Sequence, residues 1–203
     1  MTIENGIALI LATFIFACIP GPGVSAMVVQ SLSRGFKTGA SFAVGLACGD
    51  LIYLLLALLG LGWIAPKIGP WFMVIKWAGA AYLVYLGVQL WRSESPIKDT
   101  TQIQPQQKRR SFIGGLCVTL GNPKVIAFYC GFLPGFVDIP ALTSTDTALV
   151  ISLIIPTVLL VLLSYAWFAA KGQRVLRSAK TWKITSRTAG SVMIGAGVAV
   201  AAE

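Results

Sequence analysis

The sequence contains no histidine. That removes the side chain most often used as a general base near neutral pH, and the commonest metal-binding ring nitrogen. Acidic residues are scarce as well: seven Asp and Glu stand against sixteen Lys and Arg, and charged residues make up only 11% of the chain. A soluble domain carries about 25%. This shortage excludes a soluble globular enzyme and a disordered chain, which both depend on charged groups. The four cysteines, Cys18, Cys48, Cys117 and Cys130, lie inside apolar stretches with no C-x-x-C spacing. They read as small buried hydrophobes rather than a zinc site or a disulfide framework. No metal and no cofactor are expected. The N-terminus also lacks the basic segment of a cleavable signal, since only Glu4 charges it before the first apolar run.

What the chain has is apolar length. Hydrophobic residues are 56% of it, and a bilayer core needs about 20 mostly apolar residues per helix. Residues 5–33 and 147–170 carry no charge, 38–66 only Asp50, 68–91 only Lys76 and 111–137 only Lys124. A shorter run, 188–202, extends back to Ile184 if Arg187 snorkels to the headgroups. The expectation is an all-α integral membrane protein with six transmembrane helices, its partner the lipid bilayer. The net charge of +9 falls in short segments between these runs. It makes no stripe interleaved with aromatics, so no nucleic-acid partner is expected. Arg34 and Lys37, then Arg92, Lys98, Lys108, Arg109 and Arg110, then Lys171 to Arg187 fall in alternate links. Lys and Arg concentrate in cytoplasmic loops, so both termini are expected on the non-cytoplasmic side.

A polar linker at 92–110 divides the chain into a first three-helix repeat, 1–91, and a second, 111–203. Each repeat opens with a proline-broken run, Pro20-Gly21-Pro22-Gly23 in one and Gly121-Asn122-Pro123-Lys124 in the other. Gly35-Phe36 and Gly135-Phe136 follow at offsets that agree within one residue. Three helices per repeat give the two opposite orientations. Paired Gly/Pro-interrupted helices in inverted repeats point to the binding site of a secondary transporter. The two breaks and Asp50 fall near the middle of their runs, at one membrane depth. Broken backbone survives there only inside protein or beside a wet cavity. Half-helices starting at Gly23 and Pro123 direct positive dipole ends toward an anion such as a carboxylate. Lys124 adds a full charge, and Asn122 a donor and an acceptor. An acid at mid-bilayer is a functional candidate: Asp50 can hold a substrate ammonium or carry a proton. Together these groups suit a zwitterion. The plainer alternatives are a packed kink at 20–23 and a structural Asp50–Lys124 ion pair.

Pro20-Gly21-Pro22, Ser33-Arg34-Gly35-Phe36-Lys37-Thr38-Gly39, Gly45 and Gly49-Asp50 resemble the first half of the lysine exporter (LysE/RhtB-type) amino-acid efflux family. The resemblance continues through Gly79–Gly87, Phe112, Gly115, Asn122-Pro123-Lys124 and Phe132-Leu133-Pro134-Gly135-Phe136, in order along nearly the whole chain. It implies an exporter of amino acids or related metabolites in the bacterial inner membrane, driven by proton antiport and not an enzyme. It carries functional roles onto Pro20, Gly21, Pro22, Asp50, Asn122, Pro123 and Lys124. Gly23 and Gly135 depart from it, standing where many members have polar residues. Two rivals remain at this point: a thiol–disulfide relay through Cys18 and Cys117, and a passive small-solute channel. The Gly-rich last run leaves a homodimer open.

Overall fold

The computed structural model describes residues 2–59 and 105–172, with isolated helical positions between 77 and 92 and between 183 and 198. The described residues are helical throughout their regular elements, with no strand among them. Helix α1 spans Ile3–Cys18, with Thr2 as its N-cap. Pro20 and Pro22 cannot continue its hydrogen-bond ladder, and α2, Pro22–Arg34, starts anew with Pro22 at its first position. The two axes bend by 59° at the break. Gly35, at φ 83°, closes α2 in a conformation that suits glycine and opens α3, Phe36–Leu58.

The next described helix begins inside the polar linker. Helix α4 is Pro105–Leu120, so residues 105–110 are already helical. A second break at Gly121-Asn122 leads to α5, Pro123–Ile126, which again has proline at its first position. The chain continues as a π-type turn, Ala127–Phe132, and a 3-10 turn, Leu133–Gly135. This pair of segments also bends by 59°. Helix α6, Ser144–Lys171, is capped by a reciprocal Thr143–Asp146 box.

By length and composition α3 and α6 are each able to cross a membrane, and the described residues hold up to four such spans if each bent pair counts as one. The third and sixth expected spans lie largely outside the described residues, as do Lys76 and the end of the second run. Their described positions touch one another: Trp91 Nε1 donates to Ser191 Oγ at 3.1 Å, and a Cβ on Gly87 would meet Gly190 O at 2.7 Å.

Helix α3 is central and packs on α2, α4 and α6. Over an 18-residue stretch it is 61% buried, against 28% for α6, which lies at the periphery. Glycines set the α3–α4 distance. A Cβ on Gly45 would come 2.1 Å from Phe112 O, and one on Gly115 would come 2.2 Å from Phe42 O. Backbones in that proximity need small residues, as at membrane helix crossings. Leu11, Ile15, Leu160 and Phe168 point outward, the reverse of a water-facing surface.

The two ends of the bundle differ in charge. Ser41 Oγ donates to Lys108 O and Ser111 Oγ to Thr38 O, both at 2.8 Å, which joins the Arg34–Lys37 corner to the start of α4. Gly172 lies against Leu32 at that same end. Glu4, Asp138 and Asp146 belong to the chain segments that begin or turn at the other end.

Candidate functional site

The two breaks meet through Lys124, beside Leu46 and Asp50 of α3. Between them is a cavity of about 40 Å³, room for about three water molecules. Gly21, Gly23, Asp50, Asn122 and Lys124 line it, joined by Thr119, Phe16 and an apolar wall that includes Val24, Leu46 and Leu162. Five of the eight residues singled out in the sequence thus share one cavity. The other three, Pro20, Pro22 and Pro123, shape the breaks without lining it.

The two half-helix tips are not equivalent. Asn122 Oδ1 accepts the Lys124 backbone N–H at 3.1 Å, so α5 is capped from within. Helix α2 has Gly21 as N-cap and no side-chain cap. Its first N–H groups, on Gly23 and Val24, belong to residues that line the cavity. They lack intrahelical partners and carry the positive end of the helix dipole. The tip of α2 is the one open to an anion.

Asp50 is 5% exposed, and its Oδ1 has no hydrogen-bond partner. Lys124 does not pair with it. Its ammonium donates instead to Phe16 O at 2.8 Å and Ile19 O at 2.5 Å, and sits 4.3 Å from the centroid of the Phe16 ring. These carbonyls end α1, where the dipole is negative and a cation is favoured. The alternative of a structural Asp50–Lys124 ion pair is therefore not what the structure shows.

Sequence reasoning missed several residues here. Tyr165 OH, on α6, donates to Cys18 O at 2.8 Å, and Tyr53 OH, on α3, donates to Leu120 O. Each hydroxyl holds the last carbonyl of a helix that ends at a break. Tyr129 is fully buried with its hydroxyl unpartnered. Nothing in an apolar run marks such an aromatic as polar machinery, although Tyr53 stands one turn beyond Asp50. The cysteines Cys18, Cys48, Cys117 and Cys130 are free thiols, each partly exposed. Among the described residues no cluster suits a metal ion.

Comparison with known proteins gives the family. The chain is 34% identical over 195 residues to an uncharacterized membrane protein of Synechocystis sp., covering 96% of this chain and 94% of that one. It is 30% identical over 202 residues to a homoserine/homoserine lactone efflux protein of Salmonella typhi, covering 99% and 98%. A leucine efflux protein of Enterobacter sp. is 25% identical, covering 92% and 87%. No solved structure matches. The sequence pattern of the LysE type translocator family matches residues 14–203, and the chain belongs to that family of membrane translocators rather than to any class of enzyme.

Proposed function

We propose that this protein exports an amino acid or small amino-acid derivative from the cytoplasm by proton antiport. The proposal includes six spans in two inverted repeats, 1–91 and 111–203, joined by the linker 92–110. It places them in the bacterial inner membrane, with the basic end cytoplasmic and both termini outside. Relatives named for efflux of homoserine and of leucine support the substrate class. The observation that carries the reading is the cavity between the breaks, where a buried acid with an unpartnered oxygen faces an uncapped helix tip.

The substrate carboxylate sits at the tip of α2, on the N–H groups of Gly23 and Val24, beside the Asn122 amide. Asp50 carries the coupling proton. Neutral, it tolerates burial; ionised, it needs a cation that the substrate or Lys124 supplies. At about 40 Å³ the cavity is too small for an amino acid as it stands. Loading requires the two repeats to rock apart at Gly21 and Gly121, as alternating access does in inverted-repeat carriers. The test is purified protein in proteoliposomes loaded with labelled homoserine or leucine. Efflux accelerated by a proton gradient, with counterflow by unlabelled substrate, is the expected result. Gradient-insensitive flux without counterflow would instead mark a passive channel, and no flux of any amino acid would overturn the proposal.

A further inference from the structure

The carbonyl groups at the end of α1 form a compact cation site. Phe16 O and Ile19 O converge on one ammonium, and the Phe16 ring carries the same charge 4.3 Å from its centroid. That ring is held in place by Phe128, stacked at 4.0 Å between centroids. Tyr165 takes Cys18 O, which fixes the intervening carbonyl and keeps this end of α1 from fraying. Two carbonyl oxygens and an aromatic face are the groups that recognise a primary ammonium in a water-poor place.

The ammonium found there belongs to the chain itself. Lys124 reaches across the break, its Cδ 3.3 Å from where a Cβ on Gly21 would stand. In doing so it fills space in the cavity that Asp50 lines. It ignores the nearby acid, whose Oδ1 stays unpartnered. A cation with two available seats, in a cavity too small for the cargo, has one seat to give up.

We infer that the α1 carbonyl cluster, Phe16 O and Ile19 O under the Phe16 ring, is the seat for the substrate's ammonium, and that Lys124 occupies it as a tethered ammonium while no substrate is bound. This rests on the transport reading above and deepens it. When a zwitterion enters, its carboxylate at the α2 tip and an ionised Asp50 together draw Lys124 off the carbonyls. The substrate amine then takes the vacated place. Phe16 is thereby a substrate-contacting residue, and Gly21 keeps the path of the lysine clear.

The test uses the purified full chain in detergent, with leucine, leucinamide (ammonium only) and isocaproate (carboxylate only) as probes. Lys124→Met keeps the stem and removes the competing charge. Leucinamide should then bind at least about tenfold tighter than to wild type, the order supplied by a desolvated cation–π contact with its hydrogen bonds. Adding Phe16→Leu should abolish that gain. A gain that persists in the double variant puts the amine on Asp50 and overturns the inference. So does unchanged leucinamide binding with weakened isocaproate binding, which would make Lys124 a carboxylate ligand. Should Lys124→Met fail to fold, Phe16→Leu alone decides: weaker leucinamide binding with isocaproate unchanged supports the seat, and equal loss or no loss of both overturns it. Wild-type flux in proteoliposomes separates the two levels. Flux with a failed amine test sinks only the seat, whereas no flux sinks the transport reading with it.

Discussion

Asp50 and Lys124 were both legible in the sequence, for the same physical reason: a charge inside an otherwise uncharged 20-residue run must be explained. Their relation was not legible. Spacing cannot say that Lys124 would spend its hydrogen bonds on Phe16 O and Ile19 O and leave Asp50 Oδ1 alone. Phe16, Tyr53 and Tyr165 were invisible because an aromatic in an apolar run has the pattern of packing, and their polar roles arise only when distant helices meet. A buried, unpaired acid is costly, and residues kept for function at such cost are the ones whose replacement stabilises. Asp50→Asn should therefore melt higher in detergent by about 2–4 °C, the shift that roughly 1 kcal/mol produces in a chain of this size. The same variant should lose the acceleration of efflux by a proton gradient, measured in proteoliposomes with and without the gradient. A variant that melts lower and keeps its gradient response would make Asp50 structural.

The broken helices carry most of the element-scale argument. Both breaks were read from proline and glycine, and both second halves do start with proline at the first position. The irregular stretch after α5 was not foreseen. Pro134 offers no N–H to the preceding turn, and Phe128, Phe132 and Phe136 pack ring to ring at 5.0–5.8 Å across it, so a π-type turn and a 3-10 turn replace regular helix. The last carbonyls before the breaks accept hydroxyls from other helices, Cys18 O from Tyr165 and Leu120 O from Tyr53. Tyr165→Phe strips Cys18 O of its donor and should cost about 0.5–1.5 kcal/mol, a membrane hydrogen bond being modest in net worth. The check is a melting temperature lowered relative to the unsubstituted protein. Glycine substitutions divide the elements in the same way. Gly45→Ala forces a Cβ to 2.1 Å from Phe112 O and should spread α3 from α4, with loss of folded yield, whereas Gly131→Ala meets nothing within 4 Å and should be silent. Size-exclusion profiles of the two variants, expressed alike, decide it.

For the whole molecule, the inverted repeat is a proposal from offsets that agree within one residue. It is supported by bends of 59° at both breaks, proline at the start of both second halves, and a tyrosine hydroxyl on the last carbonyl before each break. The symmetry is broken where chemistry needs it to be: with Pro22 matched to Pro123, Gly23 stands opposite Lys124, so only one repeat brings a cation to the site. Orientation follows from charge at the ends of this bundle. Arg34, Lys37 and Lys108–Arg110 gather at one end through the Ser41 and Ser111 hydrogen bonds. Basic residues flanking membrane helices are retained in the cytoplasm, so this end should be the inner one and the Thr143 corner the outer. With the four native cysteines replaced by serine, Gln106→Cys should react with an impermeant maleimide only in inside-out vesicles, and Thr143→Cys only in intact cells. If both sites label from one side, α4, α5 and their turns do not cross the bilayer as a single bent span. The two breaks would then not lie at a common depth, and a site built between them would lose its access from opposite faces.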